Sequence, residues 1–193
     1  MSASERFLNY HNASIASSML LKEPKFVDSY LKAVEICVSA LMSKRRIFTA
    51  GNGGSHADAI HIAGELVNFF TIPHVGFPVM ALGCNPAVVT SWGNDHSFEE
   101  QFSRELSAYA SAGDVLIVIT TSGKSKNIHR AIEVARNVGV SVIALTSEKG
   151  ASIIDADVSL AVDSDRTPHI QEGHIIIYHS LCAEIEFQLT QNS

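Results

Sequence analysis

The sequence predicts an α/β fold on a parallel sheet, and three observations carry that prediction. Five short apolar runs recur along the chain, at 47–50, 78–82, 114–119, 140–145 and 158–162. Stretches with apolar residues at helical spacing lie between most of them. Asp114-Val115-Leu116-Ile117-Val118-Ile119 is apolar without alternation after its first residue, as a strand covered on both faces must be. Strands alternating with helices imply right-handed crossovers and parallel pairing, which place every strand-to-helix turn on one edge of the sheet. Open α/β sheets bind ligands at that carboxyl edge.

At 193 residues the chain is one domain with a sizeable core, divided into a helical segment (1–43) and an α/β core (44–193). Residues 3–21 carry Phe7, Leu8, Ile15, Met19 and Leu20 at loose helical spacing, and Pro24 interrupts them. Residues 25–43 repeat the pattern more clearly, from Phe26 to Leu41. Two helices exceed what one sheet edge needs. Either one of them makes oligomer contacts, or both cap the sheet.

A strand at 47–50 runs into Gly51-Asn52-Gly53-Gly54-Ser55 and then a helix from His56 to Phe70. Glycines let this turn approach a ligand closely, and the free N–H groups of the helix start favour an anion or hydroxyls. On that helix His61 and Glu65 stand four apart, hence on one face. After the strand at 78–82, Asn85 before Pro86 reads as an N-cap, and Gly93-Asn94-Asp95 ends the short helix. A helix over 97–110 precedes the strand at 114–119. Thr120-Thr121-Ser122-Gly123-Lys124-Ser125 then opens a helix over 126–138, closed by Gly139. The strand at 140–145 is followed by 146–157, expected as a mobile loop, then the strand at 158–162 and a last helix from His169 to Leu189.

Composition excludes several classes. Formal net charge is −6, and Lys44-Arg45-Arg46, the one basic run, suits a helix C-terminus, so nucleic acid is not an expected partner. Cys37, Cys84 and Cys182 form neither a disulfide framework nor a thiolate metal motif, which points to a reducing cytoplasm. Neither a signal peptide nor a run of about 18 apolar residues is present, so no membrane contact is expected.

The hydroxyls of 120–125 around a glycine at a helix start suit a phosphate monoester; the alternative is a Ser/Thr-rich N-cap without a ligand. The spacing is not that of a nucleotide P-loop. Lys124 is expected in solvent. Near the other end, Gln171 and His179 lie eight apart, two turns along one side of an apolar helix, while His169 and His174 read as structural or solvent-facing.

Taken together, Gly51-Asn52-Gly53-Gly54-Ser55, Ala57-Asp58-Ala59, His61, Glu65, Asn94-Asp95, 113–117, Thr121-Ser122-Gly123-x-Ser125 and Ile170-Gln171-Glu172-x-His174 resemble the sugar isomerase (SIS) family, within it the phosphoheptose isomerase branch. These motifs span nearly the whole chain in order, and their combination is what is specific. The resemblance implies a doubly wound five-stranded parallel sheet, N-terminal helices in oligomer contacts, and a homotetramer with active sites between subunits. It implies that Thr120, Thr121, Ser122 and Ser125 hold the substrate phosphate, and that Asn52, Gly53, Gly54, Ser55, Asn94 and Asp95, with Glu65 and Gln171, surround the sugar chain. It further implies one zinc per subunit on His61, Glu65, Gln171 and His179. Three positions depart from the family pattern: Thr120 where Ser is usual, Lys124 where Asn is usual, and His56 where Ala is usual. Thr120 keeps a hydroxyl; His56 is placed to alter substrate preference.

The implied activity converts D-sedoheptulose 7-phosphate to D-glycero-D-manno-heptose 7-phosphate through an enediol, feeding bacterial surface heptose in lipopolysaccharide or capsule. Such chemistry needs a base at carbon and an acid at oxygen, for which Glu65 and His179 are the candidates. Two other readings stay open: a non-catalytic sugar-phosphate-binding regulator or replication-initiation partner, and an isomerase of another phosphosugar.

Overall fold

A computed structural model describes residues 1–191. Among these, five strands form one all-parallel sheet: β1 (Ile47–Gly51), β2 (Val79–Ala81), β3 (Val115–Ile119), β4 (Ser141–Ser147) and β5 (Val158–Val162), in the order β2-β1-β3-β4-β5. Helices α1 (Ala3–Met19) and α2 (Pro24–Met42) precede the sheet. Between strands run α3 (Gly54–Val67), α4 (Pro86–Asp95), α5 (Gln101–Tyr109), α6 (Lys126–Val138) and the single turn α7 (Glu148–Ala151), and α8 (Thr167–Thr190) closes the chain.

The strands alternate between two cores. Ile47, Val115, Ile117, Ile119, Ile143, Leu145 and Leu160 face α2, α3 and α8. Phe48, Ala50, Leu116, Val118, Val142 and Ala144 face α5 and α6. The three central strands β1, β3 and β4 therefore bury both faces, which is why they read as near-continuous apolar runs, whereas β2 and β5 at the edges are partly open. The fold is the doubly wound α/β arrangement expected.

Strand order places a topological switch between β1 and β3, because the chain leaves β1 for β2 on one side and later returns to β3 on the other. The turns after these two strands open there, at the position where such sheets bind ligands. The Thr49 hydroxyl donates to the Ala59 carbonyl at 2.8 Å and pins α3 to β1, holding the first turn in place.

Two expectations are revised. The segment 146–157 is a built element, with β4 continuing through Ser147 and the Ser147 hydroxyl accepting from the Gly150 N–H at 3.0 Å to cap α7. It is anchored because Gly150 and Ile154 are buried, a pattern too short to register as periodicity. The two N-terminal helices also differ in kind. On α2, Ala33, Val34, Cys37, Val38, Ala40 and Leu41 are buried, so it caps the sheet; on α1 only Ser17 is buried. Within the described residues no helix is long and apolar enough to cross a membrane, and all three cysteines are free thiols.

His169 and His174 are structural. His174 is fully buried, and its Nε2 lies 3.2 Å from the Thr146 carbonyl. Burial holds its pKa down at about 4, against an ordinary 6.5. The folded imidazole stays neutral while the unfolded one takes up a proton below 6.5. Stability should therefore fall as pH drops from 6.5 toward 4, by about 3 kcal/mol in all. Urea unfolding midpoints of the wild type at pH 7 and pH 5 should differ accordingly, and His174→Asn should flatten that dependence.

Candidate active site

The first turn is shaped by Gly53, whose φ of +57° favours a residue without a side chain. Asn52 beside it exchanges two amide hydrogen bonds with Asn127 on α6, at 2.9 and 2.8 Å. This pair, which sequence reasoning missed, fastens the glycine turn to the hydroxyl loop across the switch point. Ser55 is buried beneath the turn.

In the hydroxyl loop, Thr120 is buried and its Oγ1 accepts from the Gly123 N–H at 3.3 Å. Gly123 has a φ of +69° and packs against Gly150 so closely that a Cβ would lie 2.8 Å from the Gly150 Cα. The rebuilt 146–157 segment thus backs the loop. Ser125 sits at the N-cap of α6 without a side-chain capping bond, so its hydroxyl and the N–H groups of Lys126 and Asn127 are left for a ligand, while the Ile128 N–H donates to the Ser125 carbonyl at 3.1 Å. Thr121 is half-buried, while Ser122 and Lys124 are exposed, Lys124 as expected.

On the other face of the turn, His61 and Glu65 are joined, Nε2 to Oε1, at 2.8 Å. The His61 Nδ1 lies 2.9 Å from the Tyr178 hydroxyl. Burial and the Asp58 carboxylate push the Tyr178 pKa up, so the phenol stays protonated and can donate. Both ring nitrogens of His61 are therefore committed, and its orientation toward Glu65 is set. His179 follows on α8, its ring centroid 5.1 Å from that of His61. Burial, followed by the neighbouring His61, lowers the His179 pKa, with Glu65 opposing. A neutral imidazole results, able both to accept and to donate a proton. Tyr178 went unnoticed in the sequence because an aromatic residue in an apolar helix reads as core.

Gln171 sits apart from this group. Its amide lies against the start of α3, where a Cβ on Gly54 would be 2.5 Å from Nε2. Gly54 and His61 are seven positions apart, about 10 Å along the helix. Among the described residues no group of three or more His, Cys, Asp or Glu is arranged to hold a metal ion. His61 Nε2 and Glu65 Oε1, two of the atoms proposed for zinc, are bonded directly to each other in the single chain. Asn94 and Asp95 are exposed at the end of α4, bonded to each other at 2.7 Å and to neither loop.

The geometry is that of a phosphate-compatible loop and a glycine turn on one rim, with a carboxylate and two imidazoles on adjoining helices. Comparisons with known proteins show what the chain as a whole is similar to. The chain is 41% identical over 167 residues to a phosphoheptose isomerase of Crocosphaera subtropica, covering 86% of this chain and 85% of the relative. It is 36% identical over 190 residues to one of Burkholderia pseudomallei, covering 95% and 96%. The solved phosphoheptose isomerase of Neisseria gonorrhoeae superposes with a TM-score of 0.88 at 35% identity, covering 96% of this chain and 99% of the other. The SIS domain profile matches residues 13–147, and the chain belongs to the SIS domain family.

Proposed function

We propose that this protein is a phosphosugar aldose-ketose isomerase acting on D-sedoheptulose 7-phosphate and forming D-glycero-D-manno-heptose 7-phosphate for bacterial surface heptose. The observation that carries the proposal is the meeting of the His61–Glu65 pair from α3 with His179 from α8. The names of the relatives support the same reading.

In this mechanism the hydroxyl loop and the α6 start hold the phosphate, and the glycine turn holds the sugar chain. Glu65 removes the proton from the carbon beside the carbonyl, giving an enediol, and returns it to the adjacent carbon. His179, neutral near pH 7, delivers and recovers the proton at the oxygens. Tyr178 and His61 hold the Glu65 carboxylate in position. When bound, a zinc ion would supply Lewis-acid polarisation of the carbonyl. His61, Glu65, Gln171 and His179 are the residues that would hold it, and no step above is routed through it.

A coupled assay with sedoheptulose 7-phosphate, with and without a chelator, tests the proposal. Turnover is the expected result. Tight binding without turnover would favour a sugar-phosphate-binding regulator, and turnover only of a shorter phosphosugar would change the substrate. Loss of activity on chelation, restored by zinc, would support the metal.

We also propose self-assembly to a homotetramer. Phe7, Leu8 and Ile15 on α1, Leu31 on α2, and Ile176 and Phe187 on α8 are exposed. Apolar surface in such quantity on neighbouring helices favours a second copy over water. Light scattering should give about four times the chain mass, and Phe7→Asp with Leu31→Asp should reduce it.

A further inference from the structure

A recess of about 260 Å³ opens beside the glycine turn, on the α5 side of the sheet. It shares Gly51, Asn52 and Gly53 with the turn, and its walls are otherwise apolar, with Val89, Phe98 and Phe102 among them. Two polar side chains break that lining. Gln101, at the first position of α5, is only 5% exposed as a residue, yet its side-chain amide is not sealed from solvent and is not bonded to another described residue. His56 stacks on Phe102 with ring centroids 6.3 Å apart, and its Nδ1 is buried without a hydrogen-bond partner. Gly83 closes the wall between them, since a Cβ there would lie 2.9 Å from Phe102 and 3.3 Å from His56.

An amide that reaches solvent at the wall of an apolar recess, with no partner inside the protein, keeps its donor and acceptor free for a ligand. An uncommitted amide and an imidazole on the wall of one apolar recess match the chemistry of a sugar chain. An amide offers both a donor and an acceptor to hydroxyls, the edge of the His56 ring lines the same wall, and the aromatic rings cover C–H faces. Phe98, 59% exposed, supplies an apolar edge at the mouth.

We infer that this recess is a hydroxyl-binding subsite, in which Gln101 and His56 grip the sugar chain of the phosphosugar beyond the part held by the glycine turn. The inference rests on the reading of the site as a phosphosugar site. Within it, Gln101 and His56 are specificity-determining residues rather than catalytic ones.

The test measures dissociation constants for sedoheptulose 7-phosphate and for inorganic phosphate, with melting temperatures of the free proteins. Gln101→Leu is expected to weaken the sugar phosphate about tenfold, the value of one well-placed polar pairing lost to a buried partner. Inorganic phosphate, which reads only the hydroxyl loop, should bind as in wild type. The ligand-free Gln101→Leu protein should melt no lower than wild type, because the amide has no partner within the protein to lose. His56→Phe, which keeps the stacking on Phe102, should weaken the sugar phosphate in the same selective way. Unchanged sugar-phosphate binding in both variants would overturn the inference, as would equal weakening of both ligands. A wild type that binds inorganic phosphate but not the sugar phosphate would overturn it as well. A wild type that binds neither would overturn the reading of the site itself, and the subsite with it.

Discussion

Glu65→Gln is expected to lower kcat about a hundredfold to ten-thousandfold while leaving the affinity for sedoheptulose 7-phosphate within a fewfold of wild type. The range is that of a positioned general base. Glutamine keeps the volume and can still bond His61, so the α3–α8 contact survives while the proton acceptor is lost. His179→Gln should cost a similar factor, and the double variant little more than either alone, because the two groups serve one proton transfer. Exchange of the substrate's carbon-bound proton with deuterated solvent separates the roles. Glu65→Gln should abolish exchange, whereas His179→Gln should slow it less. A Glu65→Gln protein with full isomerase activity would remove Glu65 from the mechanism.

Glu186→Gln should be the most damaging single change to the fold, at about 3–5 kcal/mol, the cost of breaking a buried charged network by changing one partner. Glu186 is fully buried on α8. Its carboxylate accepts from the backbone N–H groups of Phe70, Thr71 and Ile72 and from the Thr71 hydroxyl, each at 2.7 Å. The His74 Nε2 lies 3.2 Å away. One carboxylate therefore organises the connection from α3 to β2. Glutamine would aim an NH₂ group at donors and leave N–H groups unpaired. For a chain of this size the loss should lower Tm by about 10 °C, readable by calorimetry. Burial alone would raise the Glu186 pKa, but the Thr71 hydroxyl and the three N–H groups prevail and lower it. This stabilisation is thus fully present above the ordinary value of 4.5 and is lost as pH falls through the lowered one. It fails at a more acidic pH than the His174 contribution, so acid unfolding should begin with the imidazole.

Much of the fold was legible because its signals are local. Strands covered on both faces write continuous apolar runs, and helices write a period near four, so α6 fell where its spacing placed it, at Lys126–Val138. The pairing of His61 with Glu65 was equally legible, since four positions on a helix are neighbours whatever surrounds them. Gly53 at a positive φ follows from the same local logic.

By itself, then, the sequence determined most of the elements, the two strand-to-helix turns on one rim, and the carboxylate and imidazoles proposed for the site. Only the tertiary structure decided the strand order that opens the switch between β1 and β3, and which polar groups from distant segments meet. Asn52 with Asn127, Tyr178 with His61, and Glu186 with the chain after α3 are separated by 75, 117 and up to 116 positions. Gln101 reads as an ordinary helix-start residue until its burial is seen. The physical reason is common to all of them: periodicity reports which face of an element avoids water, but a hydrogen bond between elements depends on how their faces are brought together, and no local pattern encodes that.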